Sequence, residues 1–189
     1  MSVNILYIFV EGDDDERFFK AIISPLFQSR YTSVEIFKYA QWKKDKVDAF
    51  LKSIVTLQFD YIFAGDLDFS PHIMDKKHIL KHKFTALDNE RMIIVITEIE
   101  SWYLAGLDFE TTERFKIHYF ENTDKITKEE FNLLYHNRFR SRIDFMTEVL
   151  KNYSIEAAKH KNESFKYFYH KYINPDDKFD YPELLGKRN

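Results

Sequence analysis

Three apolar runs in this chain stop abruptly at acidic residues, and this recurrence constrains the fold more than any other feature. The runs end in Glu11-Gly12, in Asp66-Leu67-Asp68 and in Glu98-Ile99-Glu100. Each run is short and almost continuously apolar, which is typical of a strand buried on both faces. Helical patterns separate the runs, and strands that alternate with helices form a parallel sheet. The sequence therefore predicts an α/β domain whose acids gather at the carboxyl edge of the sheet, where ligands bind in such folds.

The predicted elements divide the chain into two parts. Four strands are predicted at 4–10, 34–39, 60–65 and 92–97. Helices are predicted from Asp13 to about Pro25 and over 45–57, while 71–84 is a polar helix or loop rich in Lys and His. After about residue 101 only helical patterns occur. We therefore expect an α/β domain at 1–106, with a sheet of about four strands and flanking helices, and a mainly α-helical C-terminal extension at 107–189 that packs on it.

Local signals mark the helix ends in the second part. Thr127 and Glu130 have the spacing of a capping box, in which each side chain bonds the other residue's backbone N–H. Ser154 is the expected N-cap of a later helix, and Asn174-Pro175 is expected to end the last one. We expect the final residues to form a loose tail.

Composition excludes several classes of protein. The 189 residues include no cysteine, which rules out disulfides, thiolate zinc sites and cysteine nucleophiles. No apolar run approaches the ~18 residues of a membrane-spanning helix, and no basic leader precedes a long apolar stretch. We therefore expect a cytoplasmic protein with no membrane partner. The 19 Phe and 12 Tyr residues are expected to fill the core.

The small net charge of -3 hides an asymmetry along the chain. Residues 1–136 hold 17 Lys and Arg against 23 Asp and Glu, whereas residues 137–172 hold 8 against 4. The helical part is therefore the basic part, which suits a flanking arm that binds nucleic acid. The candidate nucleic-acid-binding residues are Arg138, Arg140, Arg142, Lys159, Lys161 and Lys166.

The acids at the strand ends predict a divalent metal. Carboxylates on neighbouring parallel strands, about 4.8 Å apart, converge and repel one another. A hard cation removes this repulsion, and Mg²⁺ is typically held by one or two carboxylates, waters and a substrate phosphate. Alternatives remain open, because Asp66 and Asp68 also fit a simple turn and the acids after Gly12 also fit a helix first turn.

The motif Val10-Glu11-Gly12-x-x-Asp15, followed by Asp66-Leu67-Asp68 on a later strand, resembles the TOPRIM domain over roughly residues 3–105. That domain is shared by topoisomerases, bacterial primases, small ribosomal-RNA maturases and OLD-type nucleases. The segment Glu-Ile-Glu-Ser-Trp-Tyr-Leu-Ala at 98–105 further resembles small TOPRIM-like proteins of poorly characterised function that often lie near bacterial defence genes. After Asp-x-Asp, the chain has only Ser70, Lys76 and Lys77 as loose substitutes for the small-residue and lysine elements of OLD nucleases.

The resemblance implies roles for individual residues. Glu11 would be a general acid/base or a metal ligand, and Asp66 and Asp68 would hold Mg²⁺ or Mn²⁺ at the catalytic centre. Asp15 would help hold a second metal, and Glu98 or Glu100 would complete the site. The histidines at 72, 78, 82 and 160 are further candidates for a general base.

Three functions are compatible with these residues. The first is a Mg²⁺-dependent TOPRIM-like nuclease, or a related phosphoryl-transfer enzyme acting on nucleic acid, in bacterial defence. The second is a non-catalytic or partner-dependent module that binds metal and nucleic acid with a separate ATPase, since the chain has no Walker-type phosphate loop. The third is a phosphatase with Asp66 as nucleophile and Asp68 as acid/base, which leaves Glu11-Gly12 unexplained.

Overall fold

The computed structural model describes residues 4–135 and 138–175. The described residues form two compact units, which divide between Ile94 and Val95. The sequence pattern predicts a boundary after residue 106, twelve residues later. The predicted loose tail lies outside the described residues.

Four strands of the first unit form one parallel sheet, which confirms the predicted α/β class. The strand order is β2-β1-β3-β4, so the first strand of the chain lies between the second and the third. Each strand overlaps its predicted span. The strands are β1 Ile5–Val10, β2 Ser33–Lys38, β3 Asp60–Asp66 and β4 Met92–Val95.

Strands β1, β3 and β4 are largely buried, which accounts for their continuous apolar sequence. Phe9 on β1 and Phe63 on β3 stack with ring centroids 5.7 Å apart. Tyr39 directly follows β2, and its ring stacks on Phe63 with centroids 4.4 Å apart. The ring of Phe84 contacts both of these rings, with centroids 5.8 Å from Tyr39 and 5.5 Å from Phe63. Aromatic residues therefore fill the core of the first unit, as expected.

The helices of the first unit agree with the predicted pattern. The segment after Gly12 is helical throughout, with a π-helical turn at Phe19–Ile23 in its middle, and it ends shortly after Pro25. The polar stretch predicted as helix or loop is a helix. The α-helices are α1 Asp13–Phe18, α2 Ser24–Phe27, α3 Lys44–Thr56 and α4 Ile73–Lys83, with 3₁₀ turns at Tyr39–Gln41 and Asn89–Arg91.

The second unit is helical, and beyond β4 the described residues contain no further strand. The predicted capping box forms, because Thr127 Oγ1 accepts from Glu130 N at 3.2 Å and Glu130 Oε2 accepts from Thr127 N at 2.9 Å. Ser154 also caps its helix, as predicted. The α-helices are α5 Ile99–Ala105, α6 Phe109–Phe115, α7 Lys128–Leu134, α8 Arg142–Lys151, α9 Ile155–Lys161 and α10 Glu163–Phe168, followed by a π-helical turn at Tyr169–Ile173. Within 4–135 and 138–175, no helix is both long and apolar enough to cross a membrane.

The backbone at Gly106 lies close against an aromatic ring in the second unit. It follows α5, and a Cβ atom added to it would overlap the ring of Tyr153. The Tyr153 ring is held in place, because its hydroxyl donates to the carbonyl of Trp102 at 3.0 Å. The next residue, Ser154, donates its N–H to the Gly106 carbonyl at 2.8 Å.

We expect Gly106→Ala to lower the free energy of unfolding by about 1–3 kcal/mol, because the added methyl group must displace a fixed aromatic ring. Gly12→Ala is the matched control, since its Cβ atom would lie 3.6 Å from Asp15 Oδ2, an ordinary contact. Urea denaturation followed by circular dichroism measures both. Equal losses in the two variants would contradict the close approach at Tyr153.

Candidate functional site

Three neighbouring strands of the sheet end in polar residues at the same edge. Val10 pairs with Lys38 in the parallel register of β1 and β2, so Glu11 and Tyr39 are the next residues on each strand. Phe9 pairs with Phe63 in the register of β1 and β3, and β3 ends at Asp66. The fold thus brings Glu11, Tyr39 and Asp66 to the carboxyl edge, where the strand pattern predicted Glu11 and Asp66.

The Tyr39 hydroxyl bonds Glu11 and feels the charge of Asp66. It donates a hydrogen bond to Glu11 Oε2 at 3.1 Å, and Tyr39 is 4% exposed. A Cβ atom at Gly65 would lie 3.3 Å from the Tyr39 oxygen, so the glycine leaves room for the hydroxyl beside β3. Burial, the charge and hydrogen bond of Glu11, and the charges of Asp66 and Asp15 raise the pKa of Tyr39 well above its ordinary value. Tyr39 therefore stays a neutral donor in the presence of three acids.

Asp15 has a structural role that the sequence analysis did not foresee. It is buried, and its Oδ2 atom accepts the N–H of Gly12 at 3.1 Å. This bond is half of a capping arrangement at the start of α1. Asp15 therefore fixes the turn that follows Glu11, whereas its predicted role at a second metal stays untested.

The other acids of α1 are engaged in ion pairs. Asp13 and Glu16 both pair with Lys38, at 2.7 and 2.9 Å, and Asp14 pairs with Arg17 at 2.7 Å. These pairs lie on or beside the helix. They agree with the interpretation that most of this acidic run serves the first turn of α1.

Asp66 and Asp68 differ in their surroundings although they are two residues apart. The Oδ1 atom of Asp66 is buried at the end of β3. Asp68 lies in the exposed loop that follows, with a left-handed φ of 49°, and its carboxylate pairs with the ammonium of Lys76 on α4. Phe69, the next residue, is fully exposed. Lys76, quoted in the sequence analysis only as a loose substitute, is thus the cation beside the Asp-x-Asp motif.

Among residues 4–135 and 138–175, no three His, Asp or Glu side chains gather as a ready-made metal site. Glu11, Asp15 and Asp66 are close enough for each charge to act on Tyr39, while Asp68 is held by Lys76. The sequence pattern did not predict Tyr39 as a site residue, and it gave no partner for Lys76. The available signal was position, since Tyr39 is the last residue of the strand predicted at 34–39.

The acids of the third motif are held within the second unit. Glu98 is the N-cap residue of α5, and its Oε2 atom accepts the N–H of Lys128 at 2.6 Å at the start of α7. Glu100 is buried, and its Oε1 atom lies 2.5 Å from Arg142 Nη2. Arg142 also donates to Asn132 Oδ1 at 2.6 Å. Both glutamates, predicted as metal ligands, therefore have partners in the protein.

The predicted nucleic-acid-binding residues divide into two groups. Arg138 and Arg140 are exposed and line an open groove of about 640 Å³ together with Arg114. The others contact the protein itself. Besides Arg142, these are Lys159, which bonds Glu156 at 2.8 Å, Lys166, which lies 3.8 Å from Glu163, and Lys161, which is buried.

Lys161 caps the end of a helix from inside the second unit. Its ammonium donates to the carbonyls of Leu107 at 2.6 Å and Leu104 at 3.4 Å. Burial lowers the pKa of Lys161 to about 8, although the charge of Asp108 opposes this shift.

Neutralising Glu100 should destabilise the protein by the same amount whether or not Mg²⁺ is present. We expect Glu100→Gln to lower the free energy of unfolding by about 3 kcal/mol, because it leaves the largely buried Arg142 charge uncompensated. Glu163→Gln is the matched control, since its pairing with Lys166 is exposed and should matter by less than about 1 kcal/mol. Denaturation in the presence and absence of Mg²⁺ checks this. A loss seen only with Mg²⁺ present would contradict the structural role of Glu100.

The depressed pKa of Lys161 predicts how stability depends on pH. The folded pKa, about 8, lies below the ordinary value of 10.5, so between these values the unfolded chain holds a proton that the folded chain has released. Stability relative to Lys161→Met should therefore rise from pH 8 to pH 10.5, by up to about 3 kcal/mol, and be constant below pH 8. Urea denaturation of both proteins across this range measures the difference. Parallel pH profiles would contradict the prediction.

Comparison with known proteins gives no match: no protein-family model, no curated protein and no solved structure matches the chain. The resemblance to the TOPRIM domain therefore rests on the residues that carry it, Glu11-Gly12, Asp66-Leu67-Asp68 and the segment 98–105. The parallel four-stranded sheet in which the first two motifs lie is established, and the family stays a prediction.

Proposed function

We propose that this protein is a Mg²⁺-dependent phosphodiester hydrolase of the TOPRIM-like type that acts on nucleic acid. One observation carries the proposal. Glu11 directly follows β1, Asp66 ends the neighbouring parallel strand β3, and both carboxylates raise the pKa of the buried Tyr39 hydroxyl, which bonds Glu11. Two carboxylates at the carboxyl edge of a parallel sheet are placed where such folds bind ligands.

The donors at this edge suit a hard cation. Glu11 and Asp66 supply carboxylate oxygens, which Mg²⁺ prefers, and Mg²⁺ typically needs only one or two of them besides water and phosphate. The Oδ1 atom of Asp66 is buried, and the nearby charge of Glu11 adds to the local negative potential. A cation bound by Glu11 and Asp66 would neutralise charge on a scissile phosphate and lower the pKa of a bound water.

Tyr39 positions Glu11 for this role. Its hydroxyl holds one oxygen of the Glu11 carboxylate, and its ring is fixed by stacking on Phe63. Because its pKa is raised, Tyr39 remains a hydrogen-bond donor at the pH of the reaction. The second oxygen of Glu11 is left to bind the cation or to take a proton from the attacking water.

Asp68 and Lys76 supply the charge that a phosphate needs. The Lys76 ammonium pairs with Asp68 in the loop after β3, next to Asp66. A phosphate at this edge would compete with Asp68 for Lys76, since an ammonium contact stabilises the charge that develops in phosphoryl transfer. Asp68, about 41% exposed at its side chain, would then turn to the solvent or to the cation.

The arginine groove of the second unit supports nucleic acid as the substrate class. Arg114, Arg138 and Arg140 line it together with the carboxylates of Asp144 and Glu148. Guanidinium groups bind phosphate oxygens in a bidentate manner. Phe139 lines the same groove and offers an apolar surface beside the arginines. Contacts of this kind hold a phosphate backbone without reading its sequence.

The test is cleavage of labelled RNA and DNA, single-stranded and duplex, with Mg²⁺ or Mn²⁺. We expect Glu11→Gln and Asp66→Asn to slow cleavage by about a hundredfold or more, because metal catalysis supplies several kcal/mol and each ~1.4 kcal/mol is a factor of ten in rate. Tyr39→Phe should raise the Mg²⁺ concentration needed for half-maximal rate. Glu35→Gln is the matched control, because Glu35 is an exposed carboxylate in the middle of β2.

Other outcomes would point to other functions. Cleavage that survives in both Glu11→Gln and Asp66→Asn would contradict the proposal. Mg²⁺ binding that depends on Glu11 without any cleavage would indicate a binding module. Turnover of a small phosphomonoester that needs Asp66 but not Glu11 would indicate a phosphatase.

A further inference from the structure

Helix α4 carries two histidines one turn apart outside the acidic edge. His78 and His82 are at positions i and i+4, which puts their Cβ atoms about 6 Å apart on one helix face. Both are exposed, and they line a cavity of about 320 Å³ together with Lys81 and Asn89. Two imidazoles at this spacing on a helix can chelate one metal ion, as the paired histidines of helical zinc motifs do.

Asn89 also lines the cavity and carries a further oxygen atom. Its Oδ1 atom is buried, and none of the described residues donates a hydrogen bond to it. A buried carbonyl oxygen without a donor is costly, and a bound cation or donor group relieves that cost.

The segment that carries Asn89 is held in place by hydrogen bonds to its backbone N–H and C=O groups. Lys77 donates its ammonium to the Asn89 carbonyl at 3.2 Å, which ties the 3₁₀ turn to α4. Asp88 donates its N–H to the Tyr61 hydroxyl at 2.9 Å, and Arg91 N donates to the Asp88 carbonyl at 3.0 Å. A metal site requires donors on rigid elements, and here a fixed turn and a helix both line the cavity.

We propose that His78, His82 and Asn89 Oδ1 form a site for a transition metal ion of the Zn²⁺, Co²⁺ or Ni²⁺ class. Imidazole nitrogens suit these ions, whereas Mg²⁺ prefers carboxylates and water. Two of the three donors are histidines and the third is an amide oxygen, so the site is not one of the groups of three His, Asp or Glu side chains considered above. The remaining coordination positions are open to water or to a small ligand from the solvent. The site does not depend on the proposed nuclease function.

Lys81 lines the same cavity, so an anion is the competing occupant. The Asn89 oxygen argues against it, because a buried carbonyl oxygen attracts a cation and repels a phosphate. Lys81 is exposed, and its long side chain can turn its ammonium into the solvent. The donor set therefore favours the metal.

The test is titration of the full chain with Co²⁺ and Zn²⁺, in excess Mg²⁺, by calorimetry and by the visible absorption of bound Co²⁺. We expect one ion per chain. His78→Gln and His82→Gln should each weaken binding at least about tenfold, the lower end of what changes around a metal site cost. His72→Gln is the matched control, because His72 precedes α4 and does not line the cavity.

Asn89→Asp separates the two occupants. It should tighten Co²⁺ binding, because a carboxylate is a better cation ligand than an amide, and it should weaken any binding of inorganic phosphate. Phosphate binding that depends on Lys81 and the histidines, with no Co²⁺ bound, would overturn the proposal. Co²⁺ binding that survives both histidine substitutions, or that is lost in Glu11→Gln with Asp66→Asn, would also overturn it. Circular dichroism confirms that the exposed substitutions leave the fold intact.

Discussion

The hydrogen bond from the buried Tyr39 hydroxyl to Glu11 is the interaction on which the candidate site depends. The Tyr39 ring stacks on Phe63 and meets Phe84, so the packing of the core decides where the hydroxyl lies. Gly65 makes room for it. Burial and the neighbouring acids raise the pKa of Tyr39 well above its ordinary value, so the hydroxyl keeps the proton that it donates to Glu11. The packing of the aromatic core therefore positions a donor at the acidic edge.

The sequence predicted what local patterns encode. The four strands, the capping box at Thr127 and the position of Glu11 and Asp66 at one edge of the sheet follow from apolar runs, spacing and the geometry of parallel strands. The partners of the acids could not be predicted in the same way. Glu100 and Arg142 are 42 residues apart in the sequence, and nothing in either local pattern indicates that they pair. Tyr39 likewise resembles an ordinary strand residue until the neighbouring strands are in place.

The basic character of the helical part shows how a count of charges differs from a binding surface. The Lys161 ammonium donates hydrogen bonds to carbonyls inside the second unit, and Lys159 pairs with Glu156 on its own helix. Arg138 and Arg140 are exposed and share their groove with Arg114, which lies in a segment of the chain that carries no excess of positive charge. The net charge of a segment therefore gives only the excess of one sign of charge, whereas tertiary structure decides which charged groups a ligand can reach.

The position of β1 between β2 and β3 has a consequence for how the protein is made. β1 is complete at Val10, but its second neighbour is not complete until Asp66. During synthesis the central strand must therefore wait for more than fifty residues before both of its ladders can close, and such non-local pairing is slow. Glu11 and Asp66 come to the same edge of the sheet only when that closure occurs. The acidic edge thus assembles with the last ladder of β1, and a nascent chain that has not reached β3 carries Glu11 without its partner acid Asp66.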